Sequence, residues 1–374
     1  MKSARNTLSR RELLAAGGVA VTASSLAPTA AWAGRTGATT SAVAAVGAAT
    51  VHNVDPLSLV SPDLRDPLVR WRKDEGDDPI STQNLARVRE LSQPRSPPAP
   101  TPTCEERVIP GPKGAPNVRV FVINAAASGQ PRPAILHIHG GGFIAGTADE
   151  VVPKLQRTAR EHDCVIVTVD YRLAPETHFP GSLEDNYAAL KWLHTSARQL
   201  GVDVSRIAVM GESAGGGHAA MLAIAARDRG EVPIAFQCLI YPMLDDRTGS
   251  SRPVPSYIGY YIWVPASNRF GWSSLLGVPA GSAVVPAGAV PARTANLAGL
   301  PPAFIGVGSV DLFVDEDVEY ARRLIDSGVP TELCVVPGAY HGFDIIAPET
   351  PTSQTFRATW NAALRKALDL SAKA

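Results

Sequence analysis

Short apolar runs alternate with helical patterns over most of the chain after residue 117. Most of these runs are continuous and rich in Val and Ile, which is typical of strands that are buried on both faces of a sheet. The pattern predicts strands at Val118–Ile123, Ala134–Ile138, Val165–Val169, Ile207–Met210, Phe236–Ile240, Ala303–Val307 and Leu333–Val336, and helices at about 149–161, 182–198, 214–228, 315–327 and 353–370. This alternation predicts an α/β fold, in which a mostly parallel central sheet carries helices on both faces.

The N-terminal part of the chain does not follow this alternation. Residues 55–93 are polar with helical spacing, because Leu85, Val88 and Leu91 recur at every third position. The Pro-rich stretch 94–102 cannot continue a helix, so we expect an extended linker there. The N-terminal part is therefore predicted to be a helical segment that is joined by a linker to the sheet.

Residues 243–300 also break the alternation of strands and helices. They are rich in Pro and Gly and carry six aromatic residues: Tyr257, Tyr260, Tyr261, Trp263, Phe270 and Trp272. So many large side chains in a short stretch favour packing over a disordered loop, which is the alternative. We interpret residues 243–300 as a lid or cap insertion.

The first 33 residues have the order of an export signal. Arg10 and Arg11 precede a weakly apolar stretch at 13–21, and the Ala-Trp-Ala of residues 31–33 offers a small-residue cleavage site. The paired arginines followed by two leucines resemble a twin-arginine signal, which predicts an exported protein that is periplasmic or secreted. The alternative is a disordered basic N-terminus with chance alanine enrichment. Residues 34–100 are then expected to form a flexible mature N-terminus and a helical cap segment.

Composition excludes several classes of protein. The 374 residues include 35 Lys and Arg and 35 Asp and Glu, so there is no electrostatic reason to expect nucleic acid or an anionic membrane surface as a partner. Removing residues 1–33 takes away four positive charges and one negative charge, which leaves the mature chain near −3. No apolar run reaches the ~20 residues that a membrane-spanning helix needs. Three of the four cysteines, Cys164, Cys238 and Cys334, lie in apparent buried strands, where a free cysteine packs as a small hydrophobic residue, so a disulfide framework is not expected. The lack of a Cys-x-x-Cys spacing also gives no reason to expect a zinc site.

A candidate nucleophile lies in the sequence Gly211-Glu212-Ser213-Ala214-Gly215, between a predicted strand and a predicted helix. Gly-x-Ser-x-Gly alone is a weak signal, but a strand, a sharp turn and a helix form the context that such a serine requires. The glycines are needed because the turn brings backbone segments together, where a Cβ would clash. The helix dipole favours negative charge that develops beside Ser213. The alternative is an ordinary glycine-rich turn with a serine cap.

A run of glycines follows another predicted strand, in the sequence His139-Gly140-Gly141-Gly142-Phe143. Acyl transfer creates an alkoxide at the former carbonyl oxygen, and backbone N–H donors must approach that oxygen without side chains in the way. Consecutive glycines suit this task. A phosphate-binding loop is the competing interpretation, but the sequence lacks both Gly-x-Gly-x-x-Gly and the Gly-Lys-Ser/Thr of a P-loop.

Together these motifs resemble the hormone-sensitive-lipase-like (bacterial family IV) esterases of the α/β-hydrolase superfamily. The resemblance covers nearly all of residues 55–371 and includes the sequence Tyr-Arg-Leu-Ala-Pro-Glu at 171–176. It implies an α/β-hydrolase fold with a sheet of about eight strands, and a catalytic domain at 101–374 that carries the cap insertion at about 243–300. It also implies that the N–H groups of Gly141, Gly142 and Ala214 form an oxyanion hole.

A serine nucleophile needs a base, and the base needs an orienting carboxylate. In α/β-hydrolases these residues follow the serine in the order acid, then histidine. Asp311 follows one predicted strand and His341 follows the next, and both positions match the family. We therefore predict a Ser213, Asp311 and His341 triad.

Other acids and histidines compete for these roles. Asp315, Glu316 and Asp317 lie just after Asp311, but three acids that open a helix are usually partners of its dipole. His137 and His139 lie two residues apart at a strand end, as a metal pair would, but no carboxylate or cysteine cluster accompanies them. His139 is interpreted as a structural support of the glycine loop. No metal site is predicted.

The predicted activity is hydrolysis of small to medium apolar carboxylic esters through an acyl-enzyme, with a small-molecule ester as substrate and no cofactor. Phe143, Tyr260 and Trp263 are expected to line the substrate pocket. An amidase, a lactonase or a deacylase would use the same triad, so these activities stay open. A ligand-binding protein on this scaffold is a further alternative. Receptors that resemble this family lack the catalytic histidine, whereas His341 is present here. A homodimer is also left open, by analogy with the family.

Overall fold

A single sheet of eight strands is the centre of the fold. The computed structural model of the protein describes residues 54–76, 78–93 and 97–369. The strands are β1 (Cys104–Ile109), β2 (Val118–Ile123), β3 (Arg132–Ile138), β4 (Val165–Asp170), β5 (Val202–Glu212), β6 (Phe236–Ile240), β7 (Ala303–Gly308) and β8 (Thr331–Val336). They are arranged in the order β1-β2-β4-β3-β5-β6-β7-β8. Strands β3 to β8 are parallel to one another, whereas β2 is antiparallel to both of its neighbours.

The predicted fold class and strands are confirmed, with one strand missed. Strand β1 lies at an edge of the sheet and has three charged residues among six, and only Ile109 is buried. It therefore lacks the apolar run that identified the other strands. Strand β8 forms the opposite edge and is largely exposed, unlike the strands between them. Every residue of β6 and β7 is buried, so both faces of the sheet are covered as far as the strand that lies beside β8.

Helices follow the strands much as the sequence predicts. They are α3 (Ala148–His162), α4 (Gly181–Thr195), α5 (Ala197–Leu200), α6 (Ala214–Arg229), α8 (Val314–Asp326), α9 (Phe343–Ile346) and α10 (Pro351–Ala367), with α7 (Pro265–Leu276) in the insertion. Thr147 caps α3 and accepts a hydrogen bond from the N–H of Glu150. Among the described residues, no helix is both long and apolar enough to cross a bilayer.

The predicted helical segment at 55–93 consists of two helices, α1 (Pro62–Glu75) and α2 (Leu85–Leu91). Helix α1 buries Leu64 and Leu68 completely, and Asp63 accepts hydrogen bonds from Thr352 of α10. The segment is thus tied to the C-terminal end of the fold. The predicted export signal and the tail up to residue 53 lie outside the described residues, as do positions 94–96 of the predicted linker.

The insertion at 243–300 is packed, as its aromatic residues predict. Trp272 and Trp263 are buried, whereas Tyr260 is 49% exposed. The N–H of Ile80, in the N-terminal segment, donates to Ser267 Oγ of the insertion at 3.0 Å. All of the described residues belong to one compact unit. The N-terminal segment and the insertion at 243–300 therefore contact each other, and both belong to the same compact unit as the sheet.

Candidate active site

Ser213 lies at the sharp turn between β5 and α6. Its backbone has φ 57° and ψ −123°, a strained conformation that non-glycine residues rarely adopt. Its N–H donates to Ile240 O at 2.9 Å, and its carbonyl accepts from the N–H groups of Gly217 and Met243, each at 3.0 Å. Backbone bonds from three directions therefore hold the serine in place.

The flanking glycines are required for the close approach that the sequence predicts. A Cβ at Gly215 would lie 2.0 Å from Ile138 O, and one at Gly211 would lie 2.3 Å from the carbonyl carbon of Gly215. Real Cβ atoms never come so close to backbone. Strand β3 and helix α6 can therefore meet at the serine only because these side chains are absent.

The structure brings Ser213, His341 and Asp311 together. His341 Nε2 is 2.9 Å from Ser213 Oγ, and His341 Nδ1 is 2.9 Å from Asp311 Oδ2. Asp311 is fully buried, and its other oxygen accepts from the N–H of Phe313 at 3.0 Å. Phe313 also packs edge-on against the imidazole at 5.1 Å. With Nδ1–H donating to the carboxylate, Nε2 is free to accept the serine proton, as nucleophilic catalysis requires.

The three competing acids lie in the first turn of α8, and two of them bind other groups. Asp315 pairs with Arg252. Glu316 Oε1 accepts from the N–H groups of Leu244 and Asp245 at 2.7 and 3.1 Å. Asp317 is buried, and neither oxygen of its carboxyl group has a hydrogen-bond partner within the part of the chain that the structure describes. Burial raises the pKa of Glu316 and that of Asp317 well above their ordinary values.

The glycine loop lies directly beside the serine. A Cβ at Gly140 would be only 3.4 Å from Ser213 Cβ. Gly141 and Gly142 have φ of +115° and +63°, a region that favours glycine. Ala214 is the first residue of α6, so its N–H has no acceptor within the helix. The three predicted donors thus belong to two backbone segments that meet at Ser213.

His139 supports the glycine loop, as the sequence suggests. Its Nδ1 donates to Gly140 O at 2.8 Å, and its ring stacks on Tyr171 at 4.3 Å. The Tyr171 hydroxyl donates to His139 O at 2.9 Å. Burial lowers the pKa of His139 to about 4, so the imidazole is neutral near pH 7. A neutral ring fits a structural role in this apolar position.

Comparisons with known proteins agree with this geometry. Residues 135–345 match a family model described as the alpha/beta hydrolase fold. Over 267 residues the chain is 35% identical to esterase LipI of Mycobacterium tuberculosis, covering 69% of this chain and 79% of that protein. Over 292 residues it is 36% identical to carboxylesterase NlhH of the same organism, covering 76% and 89%. The chain belongs to the hormone-sensitive-lipase-like esterases of the α/β-hydrolase superfamily.

A solved structure supports the same assignment for this α/β-hydrolase. A bacterial heroin esterase is similar with a TM-score of 0.74 at 34% identity, covering 84% of this chain and 99% of that one. The likeness therefore extends over nearly the whole of the other protein and over more of this chain than the family match does.

Glu212, which precedes the serine, forms a buried ionic cluster behind it. His137 Nε2 is 2.9 Å from Glu212 Oε2, and Lys154 Nζ donates to Glu212 Oε1 at 2.6 Å. Burial alone would raise the pKa of Glu212, but the charges of Lys154 and His137 outweigh it and hold the pKa well below its usual range. His137 thus bonds to a carboxylate and to Thr168 Oγ1. The sequence hinted at this cluster only through an acid at the end of an apolar strand.

Removing the lysine of this cluster should destabilise the fold. We expect Lys154→Gln to lower the free energy of unfolding by about 2 kcal/mol at pH 7, less than the 3–5 of a fully buried pair because Lys154 is one-quarter exposed. Because the pKa of Glu212 is lowered on folding, this contribution is present above the ordinary pKa of about 4.3 and is lost as the pH falls through the lowered one. Urea unfolding at several pH values measures the difference in the free energy of unfolding between the parent and Lys154→Gln. This difference should become smaller below about pH 4.

A surface pair provides the matched control. Lys191 and Glu231 are 2.8 Å apart and both side chains are about half exposed. We expect Lys191→Gln to cause no measurable change, since solvent screens such pairs. If both substitutions changed the free energy of unfolding by the same amount, the stabilising role of the buried cluster would be contradicted.

The three residues that were predicted to line the pocket lie in different surroundings. The Trp263 ring occupies the space that a Cβ on Gly142 would need, at 2.1 Å, and its centre is 6.4 Å from that of His341. Phe143 is almost fully buried, and its ring packs against His218 and Trp272. Tyr260 is half exposed and packs against Tyr261. Of the three side chains, Trp263 is the one in contact with both the glycine loop and the region of the triad.

Proposed function

We propose that this protein is a serine carboxylesterase that hydrolyses small to medium apolar esters. The observation that carries the proposal is the chain of two 2.9 Å contacts from Ser213 through His341 to Asp311. The relatives that are named esterases and carboxylesterases support the same reaction class. The bond that is broken joins an acyl group to an alcohol.

In the proposed reaction His341 Nε2 takes the Ser213 proton as Oγ attacks the ester carbonyl. Asp311 fixes the tautomer of the imidazole and stabilises the imidazolium that forms. The N–H groups of Gly141, Gly142 and Ala214 hold the oxyanion. His341 then protonates the leaving alcohol, and a water molecule hydrolyses the acyl-enzyme by the same path. Each proton in this reaction moves between the substrate or water and the side chains of Ser213 and His341.

A series of p-nitrophenyl esters, with a p-nitroanilide as control, tests this reaction. We expect kcat/KM to be highest for short or medium acyl chains and to be far lower for the anilide. Hydrolysis of the anilide at the rate of the ester would contradict an esterase and favour an amidase. A lactone, whose hydrolysis is followed through the proton that the hydroxy acid releases, tests the lactonase alternative.

The indole of Trp263 is proposed to limit the acyl chain, because it fills the space between Gly142 and His341. We expect Trp263→Ala to raise the ratio of kcat/KM for decanoate over acetate by about tenfold, since buried methylenes are worth roughly 1 kcal/mol or more each. Tyr260→Ala is assayed beside it, and a change of this size in the Tyr260 variant alone would place the acyl chain against Tyr260 instead. An unchanged ratio in the Trp263 variant would contradict the proposal.

Two further features of the protein are proposed here. Export through the twin-arginine route rests on Arg10, Arg11 and the Ala-Trp-Ala of residues 31–33. Replacing both arginines with lysine should leave the precursor uncleaved in the cytoplasm of a host that has this route.

The proposal of a homodimer rests on the outer edge of β8, where Leu333 and Val335 are exposed. Sedimentation at micromolar concentration tests it, and a monomer would contradict it.

A further inference from the structure

The glycine loop of the proposed oxyanion hole is fixed through its carbonyl oxygens. Gly141 O accepts from the N–H groups of Ile144 and Ala145 at 3.1 and 2.9 Å, and Phe143 O accepts from the N–H of Ala174 at 3.0 Å. These hydrogen bonds fix the orientation of the peptide groups in the loop, and therefore the direction in which its N–H groups point. A loop of glycines has the largest conformational freedom to lose, so such anchors decide how well its N–H groups are aimed.

The carbonyl of Ile144, the residue directly after the loop, is bound by a side chain from a distant part of the chain. Arg89, on α2 in the N-terminal segment, donates from Nε to Ile144 O at 2.8 Å. Its Nη2 donates to Ala174 O at 2.9 Å. The same guanidinium therefore joins the glycine loop to the residue that binds Phe143 O. The guanidinium presents five N–H donors in one rigid plane, whereas a lysine ammonium is a compact charge with three donors.

The guanidinium is itself held in place by a carboxylate. Arg89 Nη1 and Nη2 donate to the two oxygens of Glu176, each at 2.8 Å. The hydrogen bonds from Arg89 lower the pKa of Glu176 to about 2, so the acid is ionised at neutral pH. A bidentate pair of this kind fixes orientation as well as position. Arg89 and Glu176 together are called the clamp below. The clamp makes two carbonyl contacts through Arg89, and Glu176 holds the guanidinium in place.

We propose that Arg89 is a positioning residue that couples the N-terminal helical segment to the oxyanion hole. The inference rests on the proposed esterase reaction and adds to it a requirement for α2. Arg89 touches neither the serine nor the imidazole in the contacts described above; it acts through the backbone of residues 143–144 and 174. When the clamp is lost, the amides of Gly141 and Gly142 should be less well aimed at the oxyanion, while the space for the substrate should change little.

Steady-state kinetics of Arg89→Gln with p-nitrophenyl acetate test the proposal. We expect kcat to fall about 10- to 100-fold with KM within about threefold, because misplacement of catalytic groups by 1 Å can cost 10²-fold. Arg89→Lys keeps the charge and is expected to fold, yet it should recover only part of kcat. An unchanged kcat in either folded variant would overturn the proposal.

A matched control uses another arginine of the same segment. Arg65, on α1, donates to Val60 O at 2.9 Å and to Ser58 O at 3.0 Å, and so makes the same kind of contact to carbonyls outside the glycine loop. Arg65→Gln should leave kcat within about twofold of the parent value, because it loses contacts of similar strength that do not reach the loop. An equal loss of kcat in the two variants would mean a general structural effect and would overturn the proposal.

Chemical rescue separates positioning from loss of fold. For Arg89→Ala, millimolar guanidinium should restore part of kcat and leave KM unchanged, whereas the same salt should not rescue Ser213→Ala or stimulate the parent enzyme. Absence of rescue in a variant whose circular dichroism matches the parent would count against the proposal. Failure of the esterase function itself would look different, since the parent would then lack hydrolysis that depends on Ser213.

Discussion

Replacing Ser213 with alanine should lower kcat for p-nitrophenyl acetate by a factor on the order of 10⁵–10⁶. The proposed nucleophile is lost, and neither His341 nor the loop amides can form the acyl-enzyme in its place. His341→Ala should cost a similar factor, and the double variant should be little worse than either single one, because the members of a triad act as a unit. Initial rates at saturating substrate, with the uncatalysed rate subtracted, measure these losses.

The fold should tolerate the serine substitution well. Ser213 has φ 57°, and alanine at this position keeps the same strained backbone without gaining or losing a Cβ. Its thermal unfolding should therefore stay close to that of the parent. Parent-like turnover by a purified, folded Ser213→Ala protein would contradict the assignment of the nucleophile.

Replacing Asp311 with asparagine should lower kcat by about 10⁴. The carboxylate accepts a hydrogen bond from His341 Nδ1 at 2.9 Å, and an amide of the same shape can offer its N–H₂ instead. That donor would favour the other tautomer of the imidazole, in which Nε2 carries the proton and cannot act as base. The kcat of the variant, measured from pH 5 to pH 10, should stay low throughout this range.

The neighbouring acids of α8 provide controls for Asp311. Asp315→Asn removes an exposed partner of Arg252 and should leave kcat within about twofold. Asp317→Asn replaces a buried carboxyl without a hydrogen-bond partner among the described residues, and it should also preserve turnover. If Asp317→Asn abolished activity and Asp311→Asn did not, the assignment of the acid would be wrong.

The sequence predicts the sheet well because its central strands are buried on both faces. Strand β6 and strand β2 begin and end where their apolar runs do. Strand β1 could not be found in this way, because an edge strand with Glu105, Glu106 and Arg107 has no apolar run. Its identity depends on pairing with β2, which is a contact between separate parts of the chain.

The arrangement of the candidate site was predictable where local geometry dictates it. Gly211 and Gly215 are fixed by the turn around Ser213, and the order of strands places Asp311 and His341 at its side. The roles of Arg89 and Lys154 depend on long-range contacts, with Ile144 and Glu212 respectively. A basic residue on a helix is usually a solvated one, so the sequence offered no signal for either.

Labelling with a fluorophosphonate tests the central claim most directly. The reagent forms a covalent bond only with an activated serine and leaves a stable adduct that resembles the tetrahedral intermediate. We expect one phosphonyl group per chain on the peptide that contains Ser213, slower labelling when His341 is replaced, and protection by a short-chain ester. A label on another residue, or no label on a folded protein, would contradict the proposed Ser213, His341 and Asp311 mechanism.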